Sequence, residues 1–236
     1  MRVREVRDHI FELNIGFVNC HLIVSGEGTA VLVDTGMPGR ADEIAAGMRE
    51  CGVGMDQLST IVLTHLHADH MGSAAELRRR SGAAVVAHEG DADMIEAGTP
   101  MRPVEPGPGM LTAVLYRFMP LFSPASCEPV PVDRRLTDRD PVDSSGTLRA
   151  VHTPGHTKGH IALLHVADGV LFTGDAVANF RGLREPLVWE EPARARDSIR
   201  LLAGLEFDTA VFGHGSAIVT DARHRLETFA ALLPAM

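Results

Sequence analysis

The sequence predicts an α/β fold of two stacked β-sheets with helices on their outer faces. Three observations carry that expectation. Each half of the chain opens with a strand-rich block and continues as alternating helix-like and strand-like segments. The strand-like runs are short, rich in branched and aromatic residues, and separated by Gly-containing turns. A length of 236 residues with 45% apolar content is enough for a substantial core, and a single compact domain spanning 1–236 is the expectation.

Taken in order, "IFELNI", "NCHLIVS" and "TAVLVD" read as strands between Ile10 and Asp34. A helix over Pro38 to Cys51 follows, with Ile44 and Met48 on one face and Gly52 as its stop. "TIVLT" is the next strand. "GSAAELRRRSG" is helical in composition and places Arg78, Arg79 and Arg80 where cations complement the dipole of a helix end. "AAVVAH" and "GDADMIEAG" read as a strand and a short helix.

The texture changes over about 98–131, where Pro100, Pro103, Pro106, Pro108, Pro120, Pro124, Pro129 and Pro131 surround "MLTAVLYRFMPLF". Leu111, Val114, Leu115, Phe118 and Phe122 recur there at helical spacing. This reads as an insertion carrying one helix, either a lid over a site or a homodimer surface, against the alternative of an ordinary core helix. Strands resume at "LRAVHT", "HIALLHV" and "GVLFTGD". A helix from about Pro192 to Leu202, the strand "TAVFG" and a last helix near Asp221 to Leu233 complete the series.

Composition narrows the function. A net charge of −9 opposes a nucleic-acid partner, because phosphate binding draws on clustered Lys and Arg. The segment "MRVREVRDHIFELN" lacks the continuous apolar core of a secretory signal, and no stretch reaches the length of a membrane span. A soluble, cytoplasmic protein with no membrane partner is expected. Cys20, Cys51 and Cys127 have no CxxC spacing, so neither a disulfide framework nor a thiolate metal site is suggested.

The chemistry lies in the histidines and aspartates. "THLHADH" puts three histidines and an aspartate directly after Ile61-Val62-Leu63. Extended backbone turns His65, His67 and Asp69 to one side, and His70 joins them if a helix begins there. Later strand ends offer more donors: His152, His156 and His160 in "HTPGHTKGH", Asp175 in "FTGDAV" and His214 in "VFGHGS". Imidazole and carboxylate together suit Zn²⁺, and also Fe or Mn.

With these segments the chain resembles the metallo-β-lactamase superfamily. "VDTG" at Val33 to Gly36, "THLHADH", "TPGHTKGH", "TGDAV" and "GHG" appear in that family's order and cover nearly the whole chain. The resemblance implies a four-layer αβ/βα sandwich and a binuclear centre. In it His65, His67 and His156 hold one ion, Asp69, His70 and His214 hold the other, and Asp175 bridges. Two Zn²⁺ ions are the expected cofactors, with Fe or Mn as alternatives. Counting agrees: these seven donors are too many for one tetrahedral zinc but divide between two ions that share a carboxylate and a water-derived ligand. Asp34 in "VDTG" is the candidate to accept the outer N–H of a ligating imidazole, unless it is a turn residue capping the next helix. His9, His21, His88, His165 and His224 read as structural, and His152 and His160 as core or hydrogen-bonding residues.

The implied activity is hydrolysis of a small ester, thioester or lactone by a bridging hydroxide, with Asp69 orienting it and passing a proton to the leaving group. Thioester hydrolases of the glyoxalase II type match the general pattern, although no basic cluster for a glutathione-like anion stands out. Lys158, Arg181 and Arg184 read as solvated charge. Lactonases share the metal motif but commonly place a tyrosine after the bridging aspartate, and the only tyrosine here is Tyr116, inside the insertion. β-Lactam turnover and nuclease activity fit less well. The alternative reaction class is persulfide dioxygenase-like chemistry on one iron held by His65, His156 and Asp175.

Overall fold

The computed structural model describes residues 1–26, 28–118 and 124–234. Strands β1 (Arg2–Arg7), β2 (Ile10–Ile15), β3 (Val18–Val24) and β4 (Ala30–Val33) form an antiparallel meander. Helix α1 (Ala41–Glu50) crosses to β5 (Leu58–Leu63), which is parallel to β4. Helices α2 (Ala68–Met71) and α3 (Ala74–Ser81) lead to β6 (Ala84–His88). After α4 (Glu89–Glu96), β7 (Glu105–Pro106) and α5 (Met110–Phe118), strand β8 (Arg134–Leu136) completes a seven-stranded sheet beside β6.

The second half builds a smaller sheet from β9 (Leu148–His152), β10 (Ile161–His165) and β11 (Val170–Phe172). A hairpin of β12 (Ala178–Asn179) and β13 (Leu183–Arg184) follows, and β14 (Val188–Trp189) reaches back to pair with β7. Helix α6 (Pro192–Ala203) leads to β15 (Thr209–Val211), parallel to β11 and last in the sheet, and α7 (Ala222–Ala231) ends the series.

Period-two alternation decides which face each side chain enters. Val31, Val33 and Val62 pack between the sheets with Leu163, Val170, Phe172 and Val211. Leu32, Ile61 and Leu63, one residue out of phase, pack on the opposite face with Ile44, Met48, Leu77 and Ile95 of the helices. In the second sheet Ala162, Leu171 and Ala210 meet Ile199, Leu202 and Leu226 of α6 and α7. The result is the expected four-layer αβ/βα sandwich. Central strands buried on both faces read as unbroken apolar runs for this reason. Each fully buried aliphatic side chain, such as Ile44 or Leu63, contributes about 1.5–3 kcal/mol.

The structure adds one strand, moves one helix start and removes one alternative. The charged N-terminal stretch is an edge strand, β1, with Arg2 exposed and Arg4 and Arg7 half-buried, as suits a sheet edge. Helix α1 begins at Ala41 rather than Pro38. Helix α5 is not a core helix, since Met110 is 85% exposed and Val114, Leu115 and Phe118 about half exposed; Phe122 lies outside the described residues. No helix among the described residues is long and apolar enough to cross a membrane.

Candidate metal centre

Strands β5, β11 and β15 end on one edge of the sandwich, and the β9–β10 loop opens on the same edge. His65 lies in the bend that follows β5 and His67 has extended backbone, whereas Asp69 and His70 sit on the one-turn helix α2. Alternation on an extended chain therefore does not account for the donors: a bend sets His65, and the helix turns Asp69 toward a different partner set from His67. His156 comes from the β9–β10 loop, Asp175 from the turn after β11 and His214 from the turn after β15. A Cβ at Gly213 would stand 2.3 Å from Asp175 Oδ1, so only glycine lets that turn approach.

The seven donors gather in overlapping groups. His65, His67 and His156 form one, Asp69, His70 and His214 another, and His65, His70 and Asp175 join them, with ligand atoms inside each group within 4.8 Å of one another. His65 Nε2, His67 Nδ1 and His156 Nε2 stand 3.0 to 3.2 Å apart. For comparison, the edge of a tetrahedron of nitrogens around zinc is about 3.3 Å. Asp175 lies between the groups, with Oδ1 3.4 Å from His70 Nε2 and Oδ2 3.1 Å from His214 Nε2 and 3.6 Å from His156 Nε2.

Outer hydrogen bonds fix which nitrogen of each ring carries a lone pair. His156 Nδ1 donates to Val188 O at 2.8 Å, His214 Nδ1 to Phe17 O at 2.8 Å and His70 Nδ1 to Asp34 Oδ2 at 2.8 Å. The Thr64 hydroxyl donates to Asp34 Oδ2, so its oxygen accepts from His65 Nδ1 at 3.0 Å. Four rings thus turn Nε2 inward as the nitrogen left to a ligand, and on His65 and His156, whose pKa values are lowered, that atom is unprotonated. The contact of His65 Nε2 with His156 Nε2 at 3.2 Å cannot be a hydrogen bond, since neither holds a proton. Two lone pairs held face to face, with buried His70 Nε2 and Asp175 Oδ1 lacking any hydrogen-bond partner, are what a cation between them would satisfy. The donor set fits two divalent ions.

Electrostatics separates the groups. Burial, then neighbouring imidazoles, hold His65 well below its ordinary pKa, while burial and His156 push His67 down to about 3. That trio is neutral. Burial also opposes charge on His70 and His214, yet Asp175 with Asp34 and Asp69 raises His70 well above the ordinary value, and Asp175 with Asp69 lifts His214 to about 10. Against the cost of burial, His70 and His214 hold the Asp69 and Asp175 carboxyls below the usual range. Three carboxylates draw positive charge into this half of the site, and protons and metal ions compete for it.

The remaining residues take supporting places. Asp34 is 2% exposed and accepts from His70 Nδ1, Thr64 N and Thr64 Oγ1, the outer role expected of it, and no helix cap. His160 is also buried: its Nε2 accepts the Asp175 N–H at 2.9 Å and its Nδ1 donates to Thr153 Oγ1 at 2.8 Å, which seats the bridging candidate. His152 stacks on His88 at 4.0 Å, away from the donor groups. Lys158, Arg181 and Arg184 are exposed, and the Tyr116 hydroxyl donates to Val104 O inside the insertion. Sequence reading missed Asn19, whose buried amide donates to Phe212 O and Gly215 O on either side of His214. It also missed Phe17 and Phe180, half-exposed rings that flank His214 at 5.8 and 6.4 Å. No motif singles out these three residues; only the fold brings them to the site.

A family model described as the Metallo-beta-lactamase superfamily matches residues 13–214. Among curated relatives, a "Probable metallo-hydrolase YflN" of Bacillus subtilis is 30% identical over 200 residues, 78% of this chain and 75% of the relative. A hydroxyacylglutathione hydrolase of Alkalilimnicola ehrlichii is 35% identical over 190 residues, 78% of this chain but only 56% of that protein. Among solved structures, a subclass B3 metallo-beta-lactamase of Bradyrhizobium japonicum superposes with a TM-score of 0.74 at 23% identity, covering 98% of this chain and 90% of the other.

Proposed function

Because the chain belongs to the metallo-beta-lactamase superfamily, we propose that its binuclear metal-dependent hydrolytic centre cleaves a small thioester, with esters and lactones as lesser substrates. The observation that carries this is the convergence of inward-facing Nε2 atoms and carboxylates from both halves of the chain. His65, His67 and His156 would hold one ion, Asp69, His70 and His214 the second, and Asp175 would bridge. Two such ions supply Lewis-acid polarisation of an acyl carbonyl and a water acidified to about pKa 7. Imidazole and carboxylate donors favour zinc, with Fe or Mn next. The thioester preference follows relatives named as hydroxyacylglutathione hydrolases. The chain spans little more than half of their length, 56% and 57%, so their substrate is one candidate among thioesters. A reducing cytoplasmic location suits three free thiols.

Within that reading the chain's own groups divide the work. Asp69 is the most open of the carboxylates at the centre, with its side chain 24% exposed, and it faces His214 Nε2 at 3.3 Å. It orients the attacking water and delivers its proton to the departing thiolate. Phe17 and Phe180 present apolar surface beside His214, where an acyl chain would displace water.

The one-iron alternative uses His65, His156 and Asp175. The complete second group of Asp69, His70 and His214 supports two ions over one. The test is His156→Ala and Asp175→Ala, with bound metal counted and turnover measured on thioester, ester and lactone panels. Both variants are expected to lose at least one ion and nearly all activity. Full metal content with full turnover in either one, or one iron with substrate-dependent oxygen uptake in the parent, defeats the reading.

A further inference from the structure

We propose that Arg102 is a positioning residue for the metal centre, tying the start of the 98–131 segment to the loop that presents His156. The inference rests on the reading of His156 as a ligand. Asp91, on α4, is 1% exposed, and its Oδ1 accepts from Arg102 Nη1 at 2.6 Å and from Gly159 N at 3.0 Å. Its Oδ2 accepts from Thr157 Oγ1 at 2.6 Å. Arg102 Nη1 also reaches Glu190 Oε1 at 3.2 Å, while Nη2 donates to Gly90 O at 2.6 Å. Glu190 completes the ring: its Oε2 accepts from Lys158 N at 2.8 Å, and its own N–H donates to Gly155 O at 2.8 Å and to His156 O at 3.2 Å. Thr157, Lys158 and Gly159, directly after His156, are thereby held through two carboxylates by one guanidinium, and the backbone N–H of Glu190 holds Gly155 and His156 themselves.

Close packing couples this loop to α4. A Cβ at Gly159 would fall 2.4 Å from Asp91 N, so the loop and the start of α4 touch backbone to backbone. Beyond Arg102 the same segment pairs β7 with β14, whose Val188 carbonyl accepts from His156 Nδ1. Two independent bonds therefore run from the segment toward one ligand. Burying Asp91 and Glu190 around Arg102 is a poor device for stability, because desolvation offsets most of the ionic attraction. Its effect is geometric. Without the guanidinium, two like charges face each other beside the loop and are relieved when it moves, which carries His156 off the nitrogen triangle.

The test uses the full chain and Zn²⁺ alone, with stepwise dissociation constants measured by chelator competition. In a His214→Ala background, which keeps the His65, His67 and His156 trio, Arg102→Gln is expected to weaken zinc about tenfold, as loss of an outer partner does. Arg102→Lys should recover part of that, since an ammonium keeps the charge without the fork. In a His156→Ala background neither variant should change zinc affinity more than twofold. Unchanged zinc affinity in the His214→Ala background overturns the proposal even if the melting temperature drops, because that pattern is a purely structural arginine. A parent chain that binds no zinc overturns the reading of the centre itself, an outcome separable from the first.

Discussion

Replacing Asp34 by Asn tests the hydrogen-bond logic of the centre with the smallest change of shape. Asp34 accepts from Thr64 N, Thr64 Oγ1 and His70 Nδ1, each at 2.8 Å, at a backbone φ of +60° that Asn tolerates. An amide can keep the Thr64 N bond through its oxygen. Its NH₂ then stands where Oδ2 stood, facing the N–H of His70. The ring escapes that clash by moving its proton to Nε2, the atom that faces Asp175 and Asp69. A protonated Nε2 cannot ligate. The Thr64 hydroxyl, which also donates to Oδ2, can rotate to accept from the new NH₂, so the cost at His70 is one hydrogen bond to a charged acceptor, about 1.5–3 kcal/mol, or about one to two orders of magnitude in affinity for an ion held by Asp69, His70 and His214, in line with the usual effect of losing such a partner. Zinc competition titrations measure the affinity, and imidazole ¹⁵N shifts report the tautomer. If the variant holds both ions within twofold of the parent and His70 keeps its proton on Nδ1, the argument from fixed lone pairs is wrong.

Three further outcomes follow from the same geometry. His160→Ala leaves the Asp175 N–H without its acceptor and is expected to destabilise the fold by about 1–3 kcal/mol and to lower metal content, read by melting and by zinc analysis; unchanged values of both would remove His160 from the site. Metal-free protein should be most stable near pH 6.5. Burial holds folded His21 and His67 down to about 3, so the unfolded chain takes up more protons and stability falls as pH drops below about 6.5. His214, raised by Asp175 to about 10 against the effect of burial, stabilises below about 6.5 and loses that contribution as pH climbs toward 10; urea titrations across this range that show a flat profile would contradict both shifts. Phe17→Ala should raise KM for thioesters with apolar acyl groups about fivefold with little change in kcat, since the ring offers contact of about 1 kcal/mol and no chemistry. An equal fall in kcat would point instead to a disturbed His214.

Much of the fold was legible because burial writes itself into alternation. Leu32 against Val31 and Val33, and Ile61 and Leu63 against Val62, are single-residue phase differences that a two-faced sheet requires. Where a strand buries little the signal fades, as in β1, in which only Val6 is buried. β1 carries Arg2, Arg4 and Arg7 because its edge meets solvent, and the two-residue strands β7, β12, β13 and β14 are too short for any period to show. Helix α5 shows the opposite failure. Its apolar spacing is helical and its helix is present, but spacing says nothing about what covers the face, and Met110, Val114, Leu115 and Phe118 are left open.

The same contrast governs the centre. All seven donor candidates stood out because metal-grade side chains crowd into short segments beside strand ends, and the structure gathers every one of them. What aims them did not stand out, because a hydrogen bond between distant segments has no local pattern. His70 depends on Asp34, 36 residues away, His156 on Val188, 32 away, and His214 on Phe17, 197 away. Asn19 adds a second tie of that kind, joining β3 to both carbonyls around His214. The last two contacts cross between the halves of the chain, so the second ligand group is complete only once the sheets have packed. Assembly of the Asp69, His70 and His214 group therefore needs both halves packed, whereas the His65 and His67 pair is set by the chain within a few residues of β5.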